Sequence, residues 1–202
     1  MRQRLLVTIL LLLAPASLRA ETITIANTGP GPSSAAGIEL GGLQWVAVEF
    51  DVAHPAVITT VQAWMSAARS GSLDLVLYGD GGEVPGDLLF RSTARVEGGT
   101  ADWRGLSTLA WAVNRGTYWI AFEVPGPDPV LAALPVPSEH PLRNGALVDR
   151  ESDRGYQEAD DIARIGVRIF GEAAPPAVPE PASILLLMTG VTGLLARRRS
   201  LP

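Results

Sequence analysis

The sequence predicts an all-β fold, an antiparallel β-sandwich of jelly-roll-like form, and three observations point to it. From Glu21 to Gly171 short runs rich in β-branched and aromatic residues alternate with Gly, Pro and Asp breaks, the punctuation of strands and their connections. No segment of that stretch sustains a helical apolar period over three turns, so none offers an apolar stripe for a helix to bury. Several runs alternate apolar and polar residues, which turns one face of a strand toward a core and the other outward.

The first element, residues 1–20, lies outside that sandwich. Arg2 and Arg4 precede an apolar run from Leu5 to Ala14, and the small residues Ala16, Ser17 and Ala20 follow, the order of a signal peptide. As a helix the run is roughly 15 Å long, too short for a hydrocarbon core of about 30 Å. Cleavage is expected after Ala20, with Ala16 as the alternative.

Residues 21–172 form the predicted sandwich. Leu43 to Phe50 is a run of β-formers, and Val57 to Met65 places Val57, Val61, Ala63 and Met65 on one side. Leu73, Leu75 and Leu77 alternate with Asp74 and Val76. Tyr118, Ile120, Phe122 and Val124 make a face opposite Thr117, Trp119, Ala121 and Glu123. Ile165, Val167 and Ile169, with Arg168 turned away, close the domain. About eight short strands are expected, joined as in a sandwich.

Residues 173–181, rich in Ala and Pro, read as a linker, residues 182–196 as a short transmembrane helix, and residues 197–202 as a basic tail. Pro179 and Pro181 keep the backbone extended, so that a protease or transpeptidase can read it as a strand. The apolar segment is short for a full span and relies on bilayer thinning and snorkelling arginines. Arg197, Arg198 and Arg199 stop transfer and stay cytoplasmic, so the domain is placed outside the inner membrane.

Charge and composition exclude several classes. Between Glu21 and Pro175 there are ten Arg against twenty Asp and Glu, a net of −10, so the electrostatic footprint of a nucleic-acid partner is missing. The chain has no cysteine, which removes disulfides, thiolate metal sites and Cys nucleophiles together. His54 and His140 each precede a proline in loops, and there is no G-x-S-x-G elbow, H-E-x-x-H pair or P-loop. No catalytic residue is therefore assigned. Paired carboxylates for a hydrolase are not marked by any spacing.

Asp80-Gly81-Gly82-Glu83 between two β runs reads as a hairpin turn. The acidic stretch Asp149, Glu151, Asp153, Glu158, Asp160 and Asp161 lacks the pattern of an EF-hand and reads as a solvated loop. No cofactor is expected; if the domain takes a metal, its oxygen-rich acidic surface selects calcium. Of the five tryptophans, Trp45, Trp64, Trp103, Trp111 and Trp119, Trp64 and Trp119 are the candidates for ligand binding, because Trp119 opposes a strongly apolar face. Core packing is the alternative for every ring. Ice binding would require a flat threonine array, and only Thr22 and Thr24 alternate in that way.

The segment Val178-Pro179-Glu180-Pro181-Ala182, the apolar stretch containing Gly190 and Gly193 and the terminal arginines resemble the PEP-CTERM sorting signal over about 25 residues. Similar tails are also catalogued as an ice-binding protein C-terminal domain, a label for the tail alone. The resemblance implies export through the secretion machinery of a Gram-negative bacterium, transient anchoring in the inner membrane and processing by an exosortase. It further implies association with exopolysaccharide. Leu75 to Leu89, with its Gly-rich turn and Pro85-Gly86-Asp87-Leu88-Leu89, and Gly116 to Ala121 are similar to secreted domains called choice-of-anchor, a name that implies no activity. The resulting expectation is a non-catalytic protein of the cell surface or extracellular matrix. A carbohydrate-binding module is the alternative, and a hydrolase the third reading.

Overall fold

The computed structural model describes residues 21–33, 37–124, 130–135, 142, 144–149, 155–159 and 164–174. The expected signal peptide, sorting segment 178–182, transmembrane helix, Arg197 to Arg199, His140 and most of the acidic stretch lie outside the described residues.

Thirteen strands are described, β1 (Thr22–Asn27), β2 (Ile38–Leu40), β3 (Gln44–Val52), β4 (Ala56–Arg69), β5 (Gly71–Asp80), β6 (Pro85–Val96), β7 (Gly99–Leu106), β8 (Trp111–Val113), β9 (Gly116–Glu123), β10 (Leu131–Leu134), β11 (Gly145–Asp149), β12 (Gln157–Glu158) and β13 (Val167–Ala173). They form two antiparallel sheets, confirming the all-β sandwich. One is ordered β1-β13-β4-β10-β2, with β7 and β8 also on β4, and the other β12-β11-β3-β9-β5-β6. The expected eight or so strands are exceeded because short pieces such as β2, β8 and β12 pair at the sheet margins, where three residues or fewer leave no periodicity to read.

β4 is the spine of the seven-stranded sheet. β13 pairs with its first half and β10 with its last residues, while β8 and β7 share the other side. Its pairing with β13 skips Thr59, since Phe170 faces Thr60 and Gly171 faces Ile58. That extra residue reverses the strand's alternation. Ala56 and Ile58 therefore enter the core with Val61, Ala63 and Met65, and the expected place of Val57 on that side is corrected.

The core lies between the sheets. Ile58, Val61, Met65, Ile165, Val167 and Ile169 come from one side and meet Val46, Val48, Leu73, Leu75, Leu77, Ile120 and Phe122 from the other. With about 1.5–3 kcal/mol for each large side chain fully buried, this layer replaces the disulfides that a cysteine-free chain cannot form. A second cluster, Ala47, Val76, Trp119, Ala121 and Ala146, lies on the outer face of the six-stranded sheet beneath Tyr78, Val84 and Tyr156.

The β5–β6 connection is the predicted turn. Gly82 takes φ +87°, which glycine adopts without strain, and its N–H donates to Asp80 Oδ1 at 2.8 Å. The ends of the sandwich come together: Thr22 faces Glu172, and Ala173 donates its N–H to the Glu21 carbonyl at 3.3 Å.

Candidate functional site

The outer face of the seven-stranded sheet carries an aromatic pair. Alternation beyond the Thr59 bulge sends Gln62, Trp64, Ser66 and Ala68 outward from β4, since Ala63, Met65 and Ala67 belong to the core. Trp64 stands opposite Trp103 of β7, and their rings meet edge to face with centroids 5.5 Å apart. Both rings are half-buried. The Trp64 indole N–H donates to the Pro32 carbonyl at 3.2 Å, and its Cβ lies where a side chain on Gly166 would begin. The ring is thereby fixed in place while remaining partly exposed.

Arg168 completes the cluster from β13. Its guanidinium lies 4.5 Å from the centroid of the Trp103 ring, a cation–π contact, and its Nε donates to Gln62 Oε1 at 2.6 Å. Burial lowers the affinity of Arg168 for its proton and Asp102 opposes that effect. Beyond Trp64 the face opens into a cleft of about 550 Å³. Glu39, Ala133 and Ser66 stand side by side across β2, β10 and β4 on its floor, with Ser33 and Thr100 on its walls. A floor of small side chains and one carboxylate, hydroxyls at the sides and an aromatic pair next along β4 make a surface that can hold an extended ligand with both apolar and hydroxyl-rich faces.

A second cluster occupies the outer face of the six-stranded sheet. Asp74 and Glu123 are direct cross-strand neighbours on β5 and β9. Glu123 is 0 % exposed and accepts from the Tyr78 hydroxyl at 2.6 Å, the Tyr156 hydroxyl at 3.0 Å and Arg91 Nη2 at 2.8 Å. Arg91 Nη1 reaches Asp74 Oδ2 at 3.1 Å, and the Thr93 hydroxyl donates to Asp74 Oδ1 at 2.6 Å. Burial, and then Glu123, push both tyrosine hydroxyls well above their ordinary pKa. Burial works to lower the pKa of Arg91, but Glu123 and Asp74 outweigh it and raise it.

The sequence candidates divide between these faces. Trp64 lies at the first cluster. Trp119 does point away from the core, as expected, but it is 0 % exposed under Tyr78, Val84 and Tyr156. It cannot receive a ligand there, and that expectation is corrected. Its cover comes from a residue 37 positions further along, which no local pattern announces. Trp111 is buried and stacked on Phe90, and Trp45 packs against the core. Trp103, Gln62 and Arg168 were not among the ligand candidates; the outward position of Arg168, already legible from alternation, was the one signal leading to them. His54 is exposed on the β3–β4 turn, at the other end of the sheet from Asp74 and Glu123. Among the described residues no group of three His, Asp or Glu side chains is placed to hold a metal ion.

The fold and the aromatic face define an all-β domain that presents a ligand-sized surface and carries no disulfide. Compared with known families, the chain matches the PEP-CTERM protein-sorting motif over residues 177–199. The motif is therefore present in this tail, with an exosortase as its processing partner and a secreted, membrane-anchored precursor that reaches the surface. Neither curated proteins nor solved structures give a match to the chain.

Proposed function

We propose that the sandwich is a non-catalytic module of the cell surface or extracellular matrix, delivered by its sorting tail. One observation carries this reading: the carboxylates that stand side by side, Asp74 and Glu123, are tied to Arg91, Thr93 and two tyrosine hydroxyls. A glycoside hydrolase needs its two carboxyl groups free to flank the scissile bond, and these are spent on each other's neighbours. The exported protein, incubated with soluble polysaccharides, is expected to release no new reducing ends. Release above the blank that Glu123→Gln lowers would overturn the reading.

Carbohydrate binding is the second reading, favoured by the Trp64–Trp103 pair beside a cleft with hydroxyl walls and a carboxylate on its floor. Exopolysaccharide is its expected ligand. Trp103→Ala should weaken retention on immobilised exopolysaccharide at least about tenfold, as loss of an aromatic anchor does at other interfaces. Trp119→Phe, under its cover, should leave retention unchanged. Equal retention of wild type and Trp103→Ala would remove this reading.

A further inference from the structure

The tail leaves the sandwich with little slack. Ala174 is the last described residue, and its N–H is held by the Pro55 carbonyl at 3.1 Å. The sorting match begins at residue 177, and Glu180, between Pro179 and Pro181, is six residues beyond Ala174. At about 3.3–3.6 Å per residue, even a fully extended chain carries Glu180 no further than about 21 Å from that fixed point. An enzyme groove that holds Val178 to Ala182 takes up only about 7 Å of this length before Glu180, so its rim lies within about 14 Å of Ala174. The body of the enzyme around that rim then faces the end of the sandwich from which the tail leaves.

The end of the sandwich that it meets is well defined. Val113 pairs with Ala56 and Gly116 with Val52, so the β3–β4 and β8–β9 turns both lie beside Ala174. Ala53, His54 and Pro55 are exposed on the first turn and Arg115 on the second. The Tyr118 hydroxyl donates to the Asn114 carbonyl at 3.1 Å and fixes the second turn. Between the turns a cleft of about 340 Å³ is lined by Asp51, Ala53, Arg115 and Thr117.

We infer that this pole, with His54 and Arg115 at its exposed points, is the docking surface for the membrane transpeptidase that reads the tail. The inference rests on the tail being an exosortase substrate. The sandwich is then part of what the enzyme recognises, with the short linker holding the two in register.

The test uses the full chain in cells that contain the enzyme, and it reads the cut and uncut tail by mass of the exported protein. His54→Glu combined with Arg115→Glu, both on exposed turns, should slow cutting about tenfold, as an opposed charge at a docking rim slows association. The same pair behind a long Gly/Ser insertion after Ala174 should be cut as fast as the unaltered pole with that insertion, because the linker then spans the gap. Leu131→Glu, at the opposite end, should change nothing. Resistance to protease confirms that each variant is folded, and Ala53→Trp supplies bulk in place of charge. Wild-type cutting in both pole variants at native linker length would overturn the docking surface alone. An intact Arg197 to Pro202 terminus in the unaltered protein would overturn the sorting reading and the docking surface with it.

Discussion

Glu123 shows how this domain seals a carboxylate inside a sheet face. Its two oxygens take three donors, two of them tyrosine hydroxyls from separate parts of the chain, Tyr78 on β5 and Tyr156 before β12. Hydrogen bonds to a charged group contribute about 1.5–3 kcal/mol, so Tyr156→Phe is expected to cost that much at neutral pH in a denaturant titration. Removing Arg91 should cost about 3 kcal/mol, the lower end for breaking a buried pair, because the arginine side chain is itself 40 % exposed. The tyrosines also fix the alkaline behaviour. Their folded pKa values are raised above the unfolded value of about 10. Above that pH the unfolded chain gives up protons that the folded chain keeps, so stability is whole below about pH 10 and falls as pH rises toward the folded values. Denaturation midpoints should be flat up to about pH 9 and drop beyond about pH 10, less steeply in Tyr156→Phe. A midpoint unmoved at about pH 11 would contradict the burial of these hydroxyls.

At the scale of strands, β4 and β7 decide where the aromatic pair sits. Gly105 takes φ +151°, and a Cβ there would collide with the Val61 carbonyl. Glycine is what allows β7 to lie against β4 in the register that sets Trp103 opposite Trp64. Gly105→Ala should lower stability by about 2 kcal/mol, within the range for strain at a special backbone position. On the carbohydrate-binding reading it should also weaken exopolysaccharide retention beyond what the stability loss explains. Full retention in a destabilised Gly105→Ala would separate the two effects and count against the pair as the ligand surface. The strands that the sequence made legible are those with unbroken alternation, Leu73 to Leu77 and Tyr118 to Val124, because period two is a local property. The Thr59 bulge was not legible, since one extra threonine in a β-rich run carries no mark of its own. The same holds for Trp103: it lies on a margin strand bounded by Gly99 and Gly105, and its partner is nearly forty residues away in sequence. Trp119 was assigned to the correct face, but long-range cover by Tyr156 decides its exposure.

Across the whole molecule, the tether and the cleft beyond the aromatic pair lie at opposite ends. Ala56 marks the pole where Glu21 and Ala174 emerge, and Ala68 borders the cleft twelve residues further along β4, roughly 40 Å away at the rise of a strand. A protein held to a membrane through its tail would thus present the aromatic face well clear of the lipid surface, where a polymer chain has room to lie across it. The shared pole has a consequence for the chain itself. β1 and β13 are neighbours whose outer residues pair, so about four Gly/Ser residues are enough to join Ala174 to Glu21 without strain. The exposed Gly82–Glu83 step, at the tip of the β5–β6 turn, is a place to open the chain with no strand cut. Such a permutant removes one hairpin closure and adds another of similar length, and loop-closure entropy changes only slowly with length. Its thermal midpoint, followed by circular dichroism, is expected within about 4 °C of the unpermuted domain, about the shift of a 1 kcal/mol change in a domain of this size. Failure to fold would mean that the two ends do not meet at one pole, and the separation of tether from cleft would fail with it.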